Sequence, residues 1–239
     1  MWEVGEVTQV ASEVEPTHAS QLGADAYEWI LHAIATFQFP VNAKLGEIQL
    51  AKEIGISRTP VREALQRLEK EGLVRRGLTA RFTVALLTPG EVDEACDVLS
   101  LLDSYMFCRA AERISLDQTA ELMGCAQAML AAAGRGDVEA WGVADDRFHE
   151  IVLEMGCNIT AAEMARLTRR RIQRFSTRSL SANPDRFTAC SSEHVAIARA
   201  IAERRVADIP KLVDEHVGHM RRSLMDSLAA IATFLGREP

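Results

Sequence analysis

Cysteine is sparse and unpatterned in this sequence. Cys96, Cys108, Cys125, Cys157 and Cys190 are odd in number, widely spaced, and form no C-x-x-C pair. That excludes a disulfide framework and predicts reduced, mostly buried thiols in a cytoplasmic protein. Aromatic residues reach only 5%, while alanine and leucine dominate, a balance that favours helix. No apolar run approaches the roughly 20 residues that span a bilayer. The N-terminus has no basic start followed by an apolar run, so no secretory signal is expected. Repeats and low-complexity segments are also missing. What is present is ordinary for a soluble globular chain: 239 residues, 48% hydrophobic and 26% charged, enough for one or two domains with sizeable cores.

An excess of basic charge is missing too, since the net charge is −7. The charge is unevenly distributed. Residues 1–19 carry Glu3, Glu6, Glu13 and Glu15 and no Lys or Arg; residues 20–88 hold nine Lys/Arg against seven Asp/Glu; residues 89–239 hold 18 against 23. The one basic stretch is where a phosphate backbone would find partners, and the acidic remainder is expected to face away from it.

That stretch has a readable pattern. Leu50, Ala51 and Ile54 fall at helical spacing, Gly55 breaks the pattern, and Ser57 is placed to cap a second helix that tolerates Pro60 in its first turn. Val61, Ala64, Leu65 and Leu68 repeat at i, i+3, i+4, i+7 and form a buried stripe, leaving Arg58, Thr59, Arg62 and Gln66 on the other face. Two short helices joined by a glycine turn predict a helix-turn-helix. Gly72 is placed to end the second helix. Strands at Leu73-Val74 and Phe82–Leu86 with the basic turn Arg75–Arg81 between them make a wing. Arg58 and Arg62, near the helix N-terminus, suit base edges and phosphates, and Arg75, Arg76 and Arg81 suit phosphates or the minor groove. Without the wing, a solvated basic face explains the helices equally well.

SRTPVREALQRLEKEGLV resembles the DNA-binding signature of the GntR family of bacterial transcription regulators. The resemblance implies a winged helix-turn-helix that binds an inverted-repeat operator on double-stranded DNA as a homodimer. It makes Arg58 and Arg62 the main readers, with Ser57 and Thr59 assisting. Family wings carry a glycine near the tip; alignment puts Arg81 there and displaces Gly77.

Residues 1–19 lack periodicity and are read as a flexible tail. Residues 20–38 place Leu22, Ala26, Trp29, Ile30, Ala33, Ile34 and Phe37 on one face of a first helix, and His32 there reads as a surface or packing residue. Thr88-Pro89-Gly90 marks the boundary between a DNA-binding domain at 20–88 and an all-helical domain at 89–239. Helices are expected at about 89–113, 115–134, 136–156, 158–179, 189–205 and 208–235. The fold class is therefore mainly α: a winged helix-turn-helix followed by an all-α antiparallel bundle.

The bundle carries a second constellation. Asp145 and His149 are four apart and share a helix face; Glu193-His194 and Asp214-Glu215-His216 lie on two later helices. One carboxylate and three imidazoles suit Zn, Ni, Fe or Mn as divalent ions, although histidines this far apart are more often unrelated packing residues. D-x-x-F-H, then Asn158, then Glu193-His194, then His216 resembles the FCD effector domain of FadR-like GntR regulators, over most of residues 90–235. The resemblance implies Asp145, His149, His194 and His216 as metal ligands and Asn158 as a helix cap, and leaves His219 out. Six bundle helices look like the VanR-type branch. It further implies a small-molecule effector, a carboxylate, filling the metal's open positions and releasing DNA, so that the chain acts as a repressor. Many members clamp that carboxylate with an arginine in the first bundle helix, where this chain has Leu99; Arg169, Arg170, Arg171 and Arg174 are substitutes, or simply a solvated face. Two rivals stand beside this reading: a metal-dependent hydrolase with Glu150 or Glu193 as base, and a ligand-free dimerisation bundle.

Overall fold

The computed structural model describes residues 18–35, 38–40, 42–77, 81–181 and 183–234. The chain divides into two compact units, with the main boundary between Val84 and Ala85 and the end of the first helix, at Ala35, grouped with the second. The first contains α1 (His18–Ala35), β1 (Lys44–Leu45), α2 (Glu47–Ile54), α3 (Arg58–Lys70), β2 (Val74–Arg76) and β3 (Phe82–Val84). Gly55 ends α2 at φ 81, a left-handed conformation that glycine adopts without strain, and its N–H returns to the Ala51 carbonyl. The chain then turns directly into α3. The expected stripe of Val61, Ala64, Leu65 and Leu68 is buried against Leu50, Ala51 and the inner face of α1. Gly72 adopts φ 76 one residue beyond the C-cap Glu71, which directs the chain into β2.

The wing hairpin pairs β2 with β3 in register, Val74 opposite Val84 and Arg76 opposite Phe82. The sheet has a third strand that was not foreseen: β1 pairs antiparallel with β3, giving the order β1-β3-β2. Two residues are too short to show a period of two, so no sequence signal marks β1. The first helix is described over His18–Ala35. Residues 1–17 of the expected tail, like Phe37 and the turn residues 78–80, lie outside the described residues. Trp29 was expected in the core stripe but sits at its edge, 36% exposed, against the Phe39 ring. Tyr27 takes the buried place: Arg67 lies 3.7 Å over its ring and its hydroxyl donates to Glu71 Oε2 at 2.6 Å.

The second unit is helical: α4 (Pro89–Arg113), α5 (Leu116–Arg135), α6 (Val138–Gly156), α7 (Ile159–Ser181), α8 (Pro184–Ala202), a 3-10 turn (Val206–Asp208) and α9 (Ile209–Phe234). Local chemistry sets the ends. Thr88 with Glu91, and Ser115 with Gln118, form reciprocal capping boxes. Asn158 caps α7 through its Oδ1, which accepts the Ala161 N–H at 3.1 Å. The fifth bundle helix begins at Pro184 rather than near 189, because Asn183 caps it, accepting the Arg186 N–H at 3.1 Å, and proline suits the first helical position. It stops at Ala202, where Arg204 turns to φ 54 and its guanidinium donates to the Glu112 and Ile114 carbonyls at the end of α4. Helix α4 packs against α6, α7, α8 and α9, so its buried face runs through the middle of the unit.

One close approach fixes how α6 meets α4. A Cβ on Gly156 would lie 3.0 Å from the Met106 sulfur and 3.2 Å from the Met106 carbonyl oxygen. The sulfur belongs to a flexible side chain, whereas the carbonyl is part of the α4 backbone and moves less readily. Gly156→Ala is expected to cost about 1–3 kcal/mol by overpacking. Thermal denaturation measures it; an unchanged Tm would show that α4 and α6 are not in close contact there.

Candidate metal centre and nucleic-acid interface

Three helices point polar side chains into the middle of the apolar bundle. Asp145 and His149 come from α6, His194 from α8 and His216 from α9, and all four are buried. Asp145 Oδ1 lies 3.1 Å from His194 Nε2 and 3.5 Å from His149 Nε2. The two Nε2 atoms are 3.4 Å apart, and the His194 and His216 rings stand edge to face at 4.5 Å. Asp145, His149 and His194 form one group able to hold a metal ion; Cys190, His194 and His216 form a second that shares His194. Cys190 was missed in the sequence, although it lies one helical turn before His194, because a lone cysteine carries no ligand signal.

Surrounding groups set the orientation of each ring. His194 Nδ1–H donates to the Cys190 carbonyl at 2.9 Å, so Nε2 is the nitrogen turned to the centre. His216 Nδ1–H donates to Glu193 Oε2 at 2.8 Å. Glu193 is itself gripped by Arg186 through two bonds of 2.9 and 3.2 Å. A carboxylate behind an imidazole is the arrangement that orients metal-ligating histidines and raises their basicity. Phe148 packs edge-on to the His149 and His194 rings, at 5.3 and 5.1 Å, and Trp141 to His194 at 6.0 Å. The indole N–H of Trp141 is satisfied by Ser191 Oγ at 2.9 Å.

The electrostatics favour a cation. Burial works against ionising His194, yet the Asp145 carboxylate and the Cys190 contact hold its pKa up at about 10. Burial likewise opposes the Asp145 charge, but His149 and His194 keep it well below the usual carboxylate range. Burial and the Arg169 charge push His149 down to about 4, so that ring is neutral; burial and the His194 charge also lower His216. Against burial, His216 and Arg186 keep Glu193 ionised, at about 2. The centre therefore gathers oriented nitrogen donors around the Asp145 carboxylate. The set of imidazole, carboxylate and thiol donors suits borderline divalent metals.

A cavity of about 30 Å³ opens on this centre, lined by Trp141, Ile172, Arg169, Arg186 and Met220 besides the donors. Leu99, on α4, is fully buried. Among the expected arginine substitutes, Arg169 reaches the cavity, Arg171 pairs with Glu91 at 3.8 Å, and the Arg174 side chain lies outside the described residues. His219 Nδ1 lies 2.9 Å from Glu193 Oε1, behind the centre.

On the first unit, Arg58, Thr59 and Arg62 stand on the exposed N-terminal half of α3. Ser57 is the N-cap by backbone conformation, at φ −74 and ψ 166, without the side-chain hydrogen bond expected of it. Both arginines meet one carboxylate that sequence reasoning overlooked: Arg62 reaches Glu47 through bonds of 3.0 and 2.9 Å and Arg58 at 3.2 Å. Arg75 and Arg81 are exposed on the wing. Arg76 pairs with Glu69 at 3.3 Å and lies 4.6 Å over the Phe82 ring.

A winged helix with exposed arginines on its second helix, linked to a helical unit with a buried polar centre, defines a DNA-binding regulator with a sensing domain. The family comparisons agree with that class. Residues 22–84 match the model of "Bacterial regulatory proteins, gntR family", and residues 94–219 match the "FCD domain". An "Uncharacterized HTH-type transcriptional regulator in the TAR-I ttuE-ttuC' intergenic region" of Agrobacterium vitis is 34% identical over 63% of this chain and 91% of its own length. A "Probable D-xylose utilization operon transcriptional repressor" of Paenarthrobacter nicotinovorans is 30% identical over 59% of this chain and 60% of its own length. The solved structure of E. coli McbR/YncC shares the fold with a TM-score of 0.74 at 20% identity, covering 88% of this chain and 98% of that one. The chain belongs to the GntR family, in its FCD-containing branch, and is a DNA-binding transcription regulator. Among the described residues no helix is long and apolar enough to cross a membrane.

Proposed function

We propose that this regulator is a cytoplasmic homodimeric repressor whose FCD domain senses a small carboxylate with the help of one divalent metal ion. The DNA-reading part is residues 20–88, with Arg58 and Arg62 on bases, Ser57 and Thr59 assisting, and Arg75, Arg76 and Arg81 on the backbone or minor groove. The sensing part is residues 89–239, with Asp145, His149, His194 and His216 as ligands; the metal is Zn, Ni, Fe or Mn. One observation carries the reading: Asp145 Oδ1, His149 Nε2 and His194 Nε2 form a triangle with sides of 3.1, 3.4 and 3.5 Å, and the Nδ1 bond to the Cys190 carbonyl orients His194. A metal bound there supplies a positive centre with open positions for a carboxylate oxygen. Stripping the protein with EDTA is expected to lower its Tm by on the order of 10 °C, and Zn²⁺ to restore it, because a ligand bound well above its dissociation constant adds several kcal/mol to folding. A Tm indifferent to both treatments defeats the metal-centred reading.

Catalysis fits the same residues poorly. Glu193 is spent on Arg186 and His216, and Glu150 is paired with Arg166 at 2.9 Å. Neither is available as a base, which supports a binding role.

Dimerisation draws support from α4. Val98, Leu101 and Tyr105 are 38%, 74% and 43% exposed, at helical spacing along one side. An apolar stripe of this kind favours a two-fold interface. Leu101→Glu should convert the dimer to monomer in analytical ultracentrifugation and weaken operator binding, since one half-site alone is then read. A dimer of unchanged affinity places the interface elsewhere.

A further inference from the structure

We propose that Arg169 is the effector's carboxylate anchor, and that Asp103 holds its place when no effector is bound. The proposal rests on the metal-centred reading above and adds the residue that couples metal to ligand. Arg169 projects from α7 into the centre with its side chain only 13% exposed. Its Nη2 donates to Asp103 Oδ2 at 2.6 Å and its Nη1 lies 3.1 Å from His149 Nε2.

This arrangement is incompletely satisfied. Among the described residues, Asp103 Oδ1, Arg169 Nε and His149 Nδ1 are buried without a hydrogen-bond partner. A guanidinium is a planar fork that matches a carboxylate through two parallel bonds. Asp103 supplies one of those bonds, and a neutral imidazole takes another donor.

His149 Nε2 makes the arrangement conditional. It has one lone pair, which can accept from Arg169 or bind a metal ion. A guanidinium and a divalent ion beside the same nitrogen repel each other strongly in a buried site. A carboxylate between them removes the conflict: its negative charge lies beside both cations, and an oxygen is left to accept from the guanidinium. Arg169 thus makes metal and carboxylate binding mutually favourable.

The other guanidinium on the cavity is already engaged. Arg186 holds Glu193 bidentately, and Leu99 has no charge. The cavity of about 30 Å³ has room for an ion and a group of a few atoms, so the anchored end of the effector is a small carboxylate.

The test is calorimetric titration of metal-stripped, full-length protein with Zn²⁺, in sodium acetate and in sodium chloride of equal ionic strength. In wild type, acetate should tighten Zn²⁺ binding roughly tenfold. Arg169→Gln should bind Zn²⁺ in chloride at least as tightly as wild type, because His149 loses its competitor, and should show no acetate effect. Asp103→Asn, which removes the intramolecular rival, should enlarge it. Arg169→Lys keeps the charge without the fork and should show a reduced effect; it carries the test if the glutamine variant does not fold. A full acetate effect in either Arg169 variant, or none in wild type, overturns the anchor and leaves the metal site standing. Failure of wild type to bind Zn²⁺ overturns the metal-centred reading itself.

Discussion

Protein purified without chelator is expected to carry close to one divalent transition metal per chain, and His194→Ala is expected to lose it. His194 is the decisive position because it belongs to both candidate groups, the one with Asp145 and His149 and the one with Cys190 and His216. Removing any other member leaves one group whole. The His194 ring is also oriented in advance. Its Nδ1 is committed to the Cys190 carbonyl, and Phe148 and Trp141 pack edge-on against it. The truncated variant keeps only Cys190 as a donor on α8, since Glu193 faces Arg186 and His216. Loss of an outer-shell partner alone lowers metal affinity roughly 10–100-fold, and loss of the shared ligand should exceed that. Mass-spectrometric metal analysis of wild type, His194→Ala and His32→Ala measures this. His32 lies on α1 of the other unit, so its variant should keep the metal. Metal retained in His194→Ala, or absent from wild type, would remove the four-ligand assignment.

The centre was legible in sequence to the extent that its donors share helix faces. Asp145 and His149 are one turn apart on α6, a spacing that survives folding unchanged. That α8 and α9 would bring His194 and His216 to the same place is a tertiary fact, which no periodicity contains. The family pattern supplied it as an expectation, and the geometry now gives it distances. Cys190, Asp103 and Arg169 were harder. Asp103 reads as an ordinary helical carboxylate, and Arg169 sits in a run of three arginines that looks like a solvated face. Only the packing of α4 against α7 sets one arginine of the run against Asp103.

The winged helix was more fully legible, because its folding is mostly local. Gly55, Pro60 and Gly72 fix the turns, and the α3 stripe fixes which face is buried. What escaped was cross-chain pairing over short spans. Strand β1 is two residues long, and Glu47 meets Arg58 and Arg62 only because α2 and α3 cross. Burying Tyr27 in place of Trp29 follows from the same cause: Arg67 and Glu71, far along the chain, give its ring a cation and its hydroxyl an acceptor.

Arg62→Ala is expected to weaken specific operator binding by about 1–3 kcal/mol, roughly 10–100-fold, and Arg58→Ala by a similar amount. Both side chains remain about half exposed, at 52% and 57%, although both contact Glu47. Ion pairs this exposed are worth about 1 kcal/mol or less, so a guanine edge or a phosphate can replace the carboxylate at small cost. Glu47 meanwhile limits the conformations of two long side chains and points both along the exposed N-terminal half of α3, which lowers the ordering cost of contact with DNA. Arg67, on the same helix, is the control. It covers the Tyr27 ring and pairs with Glu71 at 3.2 Å, so Arg67→Ala should lower Tm while leaving the affinity of the folded protein intact. Arg76→Ala, on the wing, should weaken binding to all sequences alike and reduce the salt dependence by about one phosphate contact. Fluorescence anisotropy against operator and scrambled duplexes, repeated at several salt concentrations, separates the three behaviours. If Arg62→Ala bound operator and scrambled DNA with the wild-type ratio, the bases would have to be read by a surface other than α3.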